Sequence, residues 1–197
     1  PAMNHNMYHN PIVQDNIQKL ERFGYEMIAP DRGMLANGDD GDGRMPEPEV
    51  LFEYILRELA FEKDLAGKNV LVTAGATMEA IDPVRYITNH SSGKMGCALA
   101  KAAMQRGAKV TLVAGHMEVL PPMFVDVVNV KSAADMFEAV TKLAPEQDII
   151  VKAAAVADYT PVAVADNKIK KSDDDMKIEL KRTQDILGYL GQHKRDG

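Results

Sequence analysis

Val70-Leu71-Val72-Thr73-Ala74-Gly75-Ala76-Thr77 is an apolar run that stops abruptly at small residues, the pattern of a buried strand breaking into a tight turn. The same unit recurs downstream. Lys94 to about Arg106 reads as a helix closed by Gly107, and Val110 to Val113 as the next strand. Val125 to Val130 alternates like a strand, Ser132 stands as the cap of a helix through Met136, Phe137, Val140 and Leu143, and Asp148 to Ala155 is apolar apart from Lys152. Strand, helix, strand, helix, strand implies a parallel sheet with right-handed crossovers, a doubly wound, Rossmann-like α/β fold. The long segment between the first strand and its helix, carrying Asp82, Arg85 and Asn89, reads as a loop.

Outward from this core the signals change. Ile12, Val13, Ile17, Leu20 and Phe23 recur at helical spacing after Asn10, with Gly24 placed as a left-handed cap. Tyr25 to Ala29 reads as a short buried strand. Pro30 to Pro46, rich in glycine and aspartate, reads as a mobile loop. Pro46 and Pro48 suit the first turn of a second helix through Val50, Leu51, Tyr54, Ile55 and Leu59, and polar Glu62 to Lys68 is the expected linker. At the other end, Pro161 to Asp175 reads as a charged loop, Met176 to Leu180 as a strand, and Thr183 as the cap of a last helix through Ile186, Leu187 and Leu190. The expected division is therefore 1–61, a linker 62–68, and 69–197.

The 197 residues are 46% hydrophobic, enough for one generous domain or two smaller ones. A formal charge of −6 and a pI near 5.4 argue against general nucleic-acid binding, which draws on excess Lys and Arg. The single cysteine, Cys97, forms no internal disulfide, so a reduced, cytoplasmic setting is expected. No apolar run approaches bilayer length, and Pro1-Ala2-Met3-Asn4 is neither a signal peptide nor a translation start, which points to a piece of a longer chain.

Ligands of open α/β sheets bind beyond the carboxyl ends of strands, where strand order reverses. If the strands at Val70, Val110 and Val125 run outward to one side, that at Asp148 lies on the other. The switch then falls between Ala74-Gly75-Ala76 and Ala153-Ala154-Ala155-Val156-Ala157-Asp158-Tyr159. Small side chains there either admit a base or phosphate to the backbone or simply pack beneath helices. Ser91, Ser92, Gly93 and Lys94 enter a helix directly, an arrangement suited to an anion and also to a plain serine N-cap. The spacing matches neither a Walker loop nor Gly-x-Gly-x-x-Gly, which disfavours a dinucleotide-dependent oxidoreductase. Lys168-Ile169-Lys170-Lys171, in a loop with Asp166, Asn167, Asp173, Asp174 and Asp175, is either a lysine lid over phosphates or a solvated charge run.

Ala74-Gly75-Ala76-Thr77, Asp82-Pro83-Val84-Arg85-Tyr86-Ile87-Thr88-Asn89-His90-Ser91-Ser92-Gly93-Lys94-Met95-Gly96, Ala154-Ala155-Val156-Ala157-Asp158-Tyr159 and Lys168-Ile169-Lys170-Lys171 resemble, in order and spacing, the bacterial phosphopantothenate-cysteine ligase domain. That domain is commonly fused behind a flavin-dependent phosphopantothenoylcysteine decarboxylase of flavodoxin-like fold. Residues 1–61 resemble its C-terminal part, through Pro1-Ala2-Met3-Asn4 with Met7 and Gly41-Asp42-Gly43-Arg44-Met45 with Glu47-Pro48.

The resemblance implies a two-step reaction. The 4′-phosphopantothenate carboxylate attacks the α-phosphate of CTP, expelling pyrophosphate; the amine of L-cysteine then displaces CMP from the acyl-cytidylate to form an amide. Asn89 would hold the activated acyl group, with Ser91, Ser92, Gly93 and Lys94 around it. Gly75, Ala154 and Asp158 would contact the nucleotide, and Lys168 would stabilise the triphosphate, accompanied by Mg²⁺. Asn4, Met7, Asn37, Arg44 and Met45 would belong to the decarboxylase substrate site, and FMN to that half. Ligase dimers and decarboxylase trimers are the implied assemblies, and the ligase family continues past Gly197 with further strands. One departure stands out: the decarboxylase family places a catalytic cysteine in an Ala-Cys-Gly setting where this chain has Ala36-Asn37-Gly38, so its reductive step should be impaired. A non-catalytic nucleotide-binding or assembly module is the competing expectation.

Overall fold

A computed structural model describes residues 1–35, 37–171 and 175–194. Ala36 and the loop aspartates Asp173 and Asp174 lie outside the described residues. The chain divides into two compact units, Pro1–Leu56 and Arg57–Gly197.

In the first unit, Asn4 caps the single turn α1 (His5–Tyr8) by accepting the N–H of Asn6, and Asn10 caps α2 (Pro11–Arg22), which starts on proline. Gly24 adopts φ +86°, the left-handed conformation expected of it. Tyr25 to Ala29 does not form the expected buried strand. Tyr25 is 63% exposed, and no described strand pairs with the segment to satisfy its backbone. The expected loop 30–46 instead contains an antiparallel hairpin, β1 (Asp31–Met34) with β2 (Asp40–Arg44). Glycine and aspartate have poor strand propensity, so the composition concealed it. Gly43, at φ +144°, lets the chain pass close enough for its carbonyl to accept the N–H of Met3 at 2.9 Å. Helix α3 (Pro48–Leu59) spans the division between the units.

The second unit contains β3 (Asn69–Ala74), β4 (Met78–Asp82), β5 (Arg85–Thr88), α4 (Lys94–Gln105), β6 (Lys109–Ala114), β7 (Asp126–Asn129), α5 (Ala133–Leu143), β8 (Ile149–Lys152), β9 (Tyr159–Pro161), β10 (Leu180–Arg182) and α6 (Ile186–Gln192). The parallel sheet has the order β7-β6-β3-β8. Strand order therefore reverses beside β3, as its sequence context required. Val70, Val72 and Ala74 face α4 with Ala100, Met104, Val110 and Leu112, while Leu71 and Val113 face Met136, Val140 and Ile186 on the opposite side. Helices cover both faces, which is why β3 reads as an unbroken apolar run. Each fully buried Leu or Val here contributes about 1.5–3 kcal/mol.

Segment Glu62–Lys68 is held against this unit: Leu65 packs on the α4 side of the core, its N–H bonds Arg106 O at 3.0 Å, and Lys63 Nζ donates to Gln105 O at 2.6 Å. The expected loop between β3 and α4 is instead largely the antiparallel hairpin β4–β5. The strand expected at Met176–Leu180 forms later, as β10, paired with β9. Ser132 caps α5 in a reciprocal capping box with Asp135. Thr183 does not cap α6. Asp185 does, through Gly188 N–H at 2.9 Å, and Thr183 instead donates its hydroxyl to Ala157 O at 2.7 Å. Among the described residues, no helix is long and apolar enough to cross a membrane.

Candidate functional site at the strand ends

Beyond Thr73 and Lys152 the β3–β8 ladder gives way to side-chain hydroxyls. Thr73 Oγ1, wholly buried, accepts the N–H groups of both Ala153 and Ala154 at 3.1 Å. Thr77 Oγ1 accepts the N–H of Ala157 at 2.9 Å, and Thr88 Oγ1 donates to Thr77 O at 2.7 Å. The alanine segment thus hangs on Thr73 and Thr77, to which the sequence motifs assigned no role. The available signal was threonine recurring at the end of an apolar strand and in the turn after it.

The backbone then knits across the switch point. Ala155 N–H donates to Gly75 O at 2.8 Å, and Ala155 O accepts Thr77 N–H at 3.2 Å and the Asn89 side-chain amide at 3.4 Å. Gly75, Asn89 and Ala155 are therefore brought together. Gly75 has φ +78°, and a Cβ on it would stand 2.4 Å from His116 O, so its own backbone path demands glycine. Asn89 is exposed, leaving the rest of its amide open to solvent.

Helix α4 starts from Gly93 in the left-handed conformation, φ +77°, without a side-chain cap. Neither Ser91 nor Ser92 fills that role, which removes the plain serine-cap reading. Lys94 is exposed on the first turn. At Gly96 a Cβ would lie 2.4 Å from Ala74 Cβ, so this glycine brings α4 down onto the end of β3.

Asp158 lines a cavity of about 400 Å³ with Lys152, Tyr159, Arg182 and Asp185. Burial pushes the Lys152 ammonium below its usual range, and the Asp185 charge opposes that shift. A larger cavity of about 920 Å³ opens between hairpin β4–β5 and strands β9 and β10. Lys168 is exposed, and its loop is tied to that hairpin: Ala165 N–H bonds Ile81 O at 3.0 Å, and Ile169 is fixed to Asp82 and Arg85. Bonds from the Arg85 guanidinium, then from three backbone N–H groups, hold the Asp82 carboxyl well below the usual carboxylate range.

In the first unit, Asn4, Asn37 and Arg44 line a cavity of about 430 Å³ with Met3, Met34 and Leu35. Met7 and Met45, the other two residues expected there, are exposed and do not line it. Arg44 pairs with Glu47, and the Asn37 amide with Asp39 at 2.6 Å.

Residues 65–197 match the family described as the DNA/pantothenate metabolism flavoprotein C-terminal domain. The chain belongs to this family. Residues 1–60 match the flavoprotein family. The coenzyme A biosynthesis bifunctional protein CoaBC of Haemophilus influenzae is 48% identical over 194 residues, 98% of this chain and 48% of that protein. The CoaBC protein of Bacillus subtilis is 49% identical over 199 residues, 100% of this chain and 49% of that protein. A crystal structure of the C-terminal domain of a CoaBC protein superimposes with TM-score 0.58 at 49% identity, covering 66% of this chain and 61% of the other. The flavoprotein C-terminal fold thus accounts for the second unit, and the chain spans about half the length of the curated relatives it matches.

Proposed function

We propose that this chain is the central portion of a coenzyme A biosynthesis protein that joins 4′-phosphopantothenate to L-cysteine through a CTP-derived acyl-cytidylate, ahead of a flavin-dependent decarboxylation by the unit to which residues 1–56 belong. The observation that carries this reading is the Asn89 amide against Ala155 O at the point of strand reversal, where an α/β sheet receives its ligand. Relatives named for coenzyme A biosynthesis over both family segments support it.

A carboxylate resists amines until its oxygen becomes a leaving group, and a cytidylyl group makes it one. Asn89 holds the acyl carbonyl as the amine attacks. Ser91 to Lys94 face the phosphate end through a helix start and one cation. Gly75, Ala154 and Asp158 border the base, and Lys168 answers the triphosphate charge from the loop that Asp82 and Arg85 anchor. Mg²⁺ is the ion proposed to accompany the triphosphate; Asp158 and Asp185 share their cavity with Lys152 and Arg182, so these carboxylates are not assigned to it. In the first unit, the Asn4 and Asn37 amides and the Arg44 guanidinium line the cavity, and they suit an anionic substrate that takes the place of Glu47 and Asp39 on Arg44 and Asn37. FMN, when bound to the longer protein, would supply its electron transfer. Ligase dimers and decarboxylase trimers are the assemblies proposed with this reading.

The test uses the full-length protein with phosphopantothenate, cysteine and CTP. Release of pyrophosphate and CMP with amide formation is expected, and no release above background sinks the proposal. Asn37 favours a second reading for the first unit alone, as an assembly module with impaired decarboxylation. An amide has no thiol proton to donate, so the decarboxylated but still oxidised intermediate would then appear in place of 4′-phosphopantetheine.

A further inference from the structure

We propose that His5, His9 and Asp42 form a binding site for a borderline divalent cation of the Zn²⁺ type. His5 opens α1 and His9 caps its end. That separation, four residues on one helical turn, places two imidazoles on the same side, and the ring centroids are 4.4 Å apart. Strand β2 brings the third ligand: Asp42 Oδ2 lies 2.9 Å from His9 Nε2. One donor atom from each of the three residues falls within 4.8 Å of the others.

Two imidazoles and a carboxylate are the ligand types of open Zn²⁺ sites, which leave a fourth position for water. Tetrahedral bonds of about 2.1 Å set ligand atoms about 3.4 Å apart, so the group must contract by about an ångström. Exposed His9 has the freedom to supply that movement. His5 does not need to travel, because its ring is seated on Gly41, where a Cβ would stand 2.8 Å from Nδ1. The nearby arginines are engaged with other acids, Arg44 with Glu47 and Arg32 with Asp40, which leaves the Asp42 charge to the histidines. In the metal-free arrangement His5 Nδ1 accepts the Asp42 N–H at 3.1 Å, and one hydrogen lies between His9 Nε2 and Asp42 Oδ2. The cation takes the place of that hydrogen, which leaves as a proton or moves to His9 Nδ1; at His5 it takes the Nδ1 lone pair and releases the Asp42 N–H to solvent.

Asn4 precedes His5, and Gly43 and Arg44 follow Asp42; all three line the 430 Å³ cavity. A cation at this position therefore pins α1 to β2 directly behind the cavity wall. The site stands on these contacts alone, independent of the ligase reading.

The experiment titrates the 197-residue chain with Co²⁺, whose visible spectrum reports coordination, then displaces it with Zn²⁺. One equivalent per chain is expected, with affinity at least about tenfold weaker in His9→Gln and in Asp42→Asn. His90→Gln and His193→Gln serve as controls and should bind as the parent does. Circular dichroism verifies that the variants fold, His9 being exposed. No saturable binding by about 100 μM metal, or binding that survives both His9→Gln and Asp42→Asn, overturns the site.

Discussion

The carboxylate of Asp82 reaches across 87 residues to hold the backbone of Ile169, accepting its N–H at 3.1 Å, while Arg85, bonded to the same carboxylate, donates to the Ile169 carbonyl at 3.1 Å. One ion pair on a hairpin thus fixes both backbone polar groups of one residue, in the two successive peptides beside Lys168. Replacing Asp82 with Asn keeps the shape but removes the charge from this clip. Amide exchange at Ile169 should rise about tenfold or more, the equivalent of losing a charge-assisted hydrogen bond. Unchanged exchange would show that the loop is held by other means.

The same group sets an acid limit on stability. Its folded-state pKa lies below the ordinary Asp value of about 3.9, so the unfolded chain takes up the proton first. The stabilising contribution is complete above that value and declines as pH falls toward the folded one. Urea midpoints measured at pH 6 and pH 3 should therefore differ less in Asp82→Asn than in the parent. Equal differences would assign the acid sensitivity to other carboxylates.

Thr73→Val roughly preserves volume and removes the acceptor for two part-buried N–H groups. The expected loss is about 1–3 kcal/mol, less than two fully buried orphaned donors would cost because water partly reaches them. Chemical denaturation measures it, and a neutral result would mean the Ala153–Ala154 segment finds other partners.

Two glycine substitutions should diverge. Gly96→Ala drives a methyl into Ala74 and the Thr73 carbonyl and should cost about 1–3 kcal/mol by overpacking. Gly191→Ala in α6 meets open space and should gain up to about 1 kcal/mol of helix propensity. Melting temperatures moving in the same direction would contradict the packing described at the end of β3.

For the reaction, Asn89→Ala should let acyl-cytidylate build up while amide formation falls, with the Thr73 and Thr77 bonds to the alanine segment intact. Quench-flow with chromatography separates the two species. Amide formation at the parent rate would remove Asn89 from the second step.

The parallel sheet was legible because its strands are written in aliphatic residues: Val70 to Val72, buried on both faces of β3, and Ile149 to Val151 of the half-buried end strand β8 carry no polar interruption. The doubly wound pattern, with β6 and β7 running outward to one side, placed β8 on the other side of β3, and small residues follow both strands at the switch. The hairpins were not legible. β1 and β2 are written in aspartate, glycine and arginine, and β4–β5 holds buried Glu79 and Asp82, whose polarity reads as loop until their partners, Ala133 N–H and Arg85, are seen. At α6, Thr183 and Asp185 are both good caps by type, and only the fold shows that Ala157 claims the first. The site followed the same division. Asn89 stood out by motif, but its tie to Ala155 O spans 66 residues and needs the sheet to exist.

Gly93 starts α4 from a left-handed φ with no side chain bonded to the first turn, and a Cβ there would stand 2.6 Å from Met117 Cγ. The two properties lock together: a residue large enough to close the helix end is one that the neighbouring methionine leaves no room for. Mutational drift toward a sturdier helix start is therefore barred at this position, and a library screened for heat tolerance alone should keep glycine at 93 while it changes elsewhere.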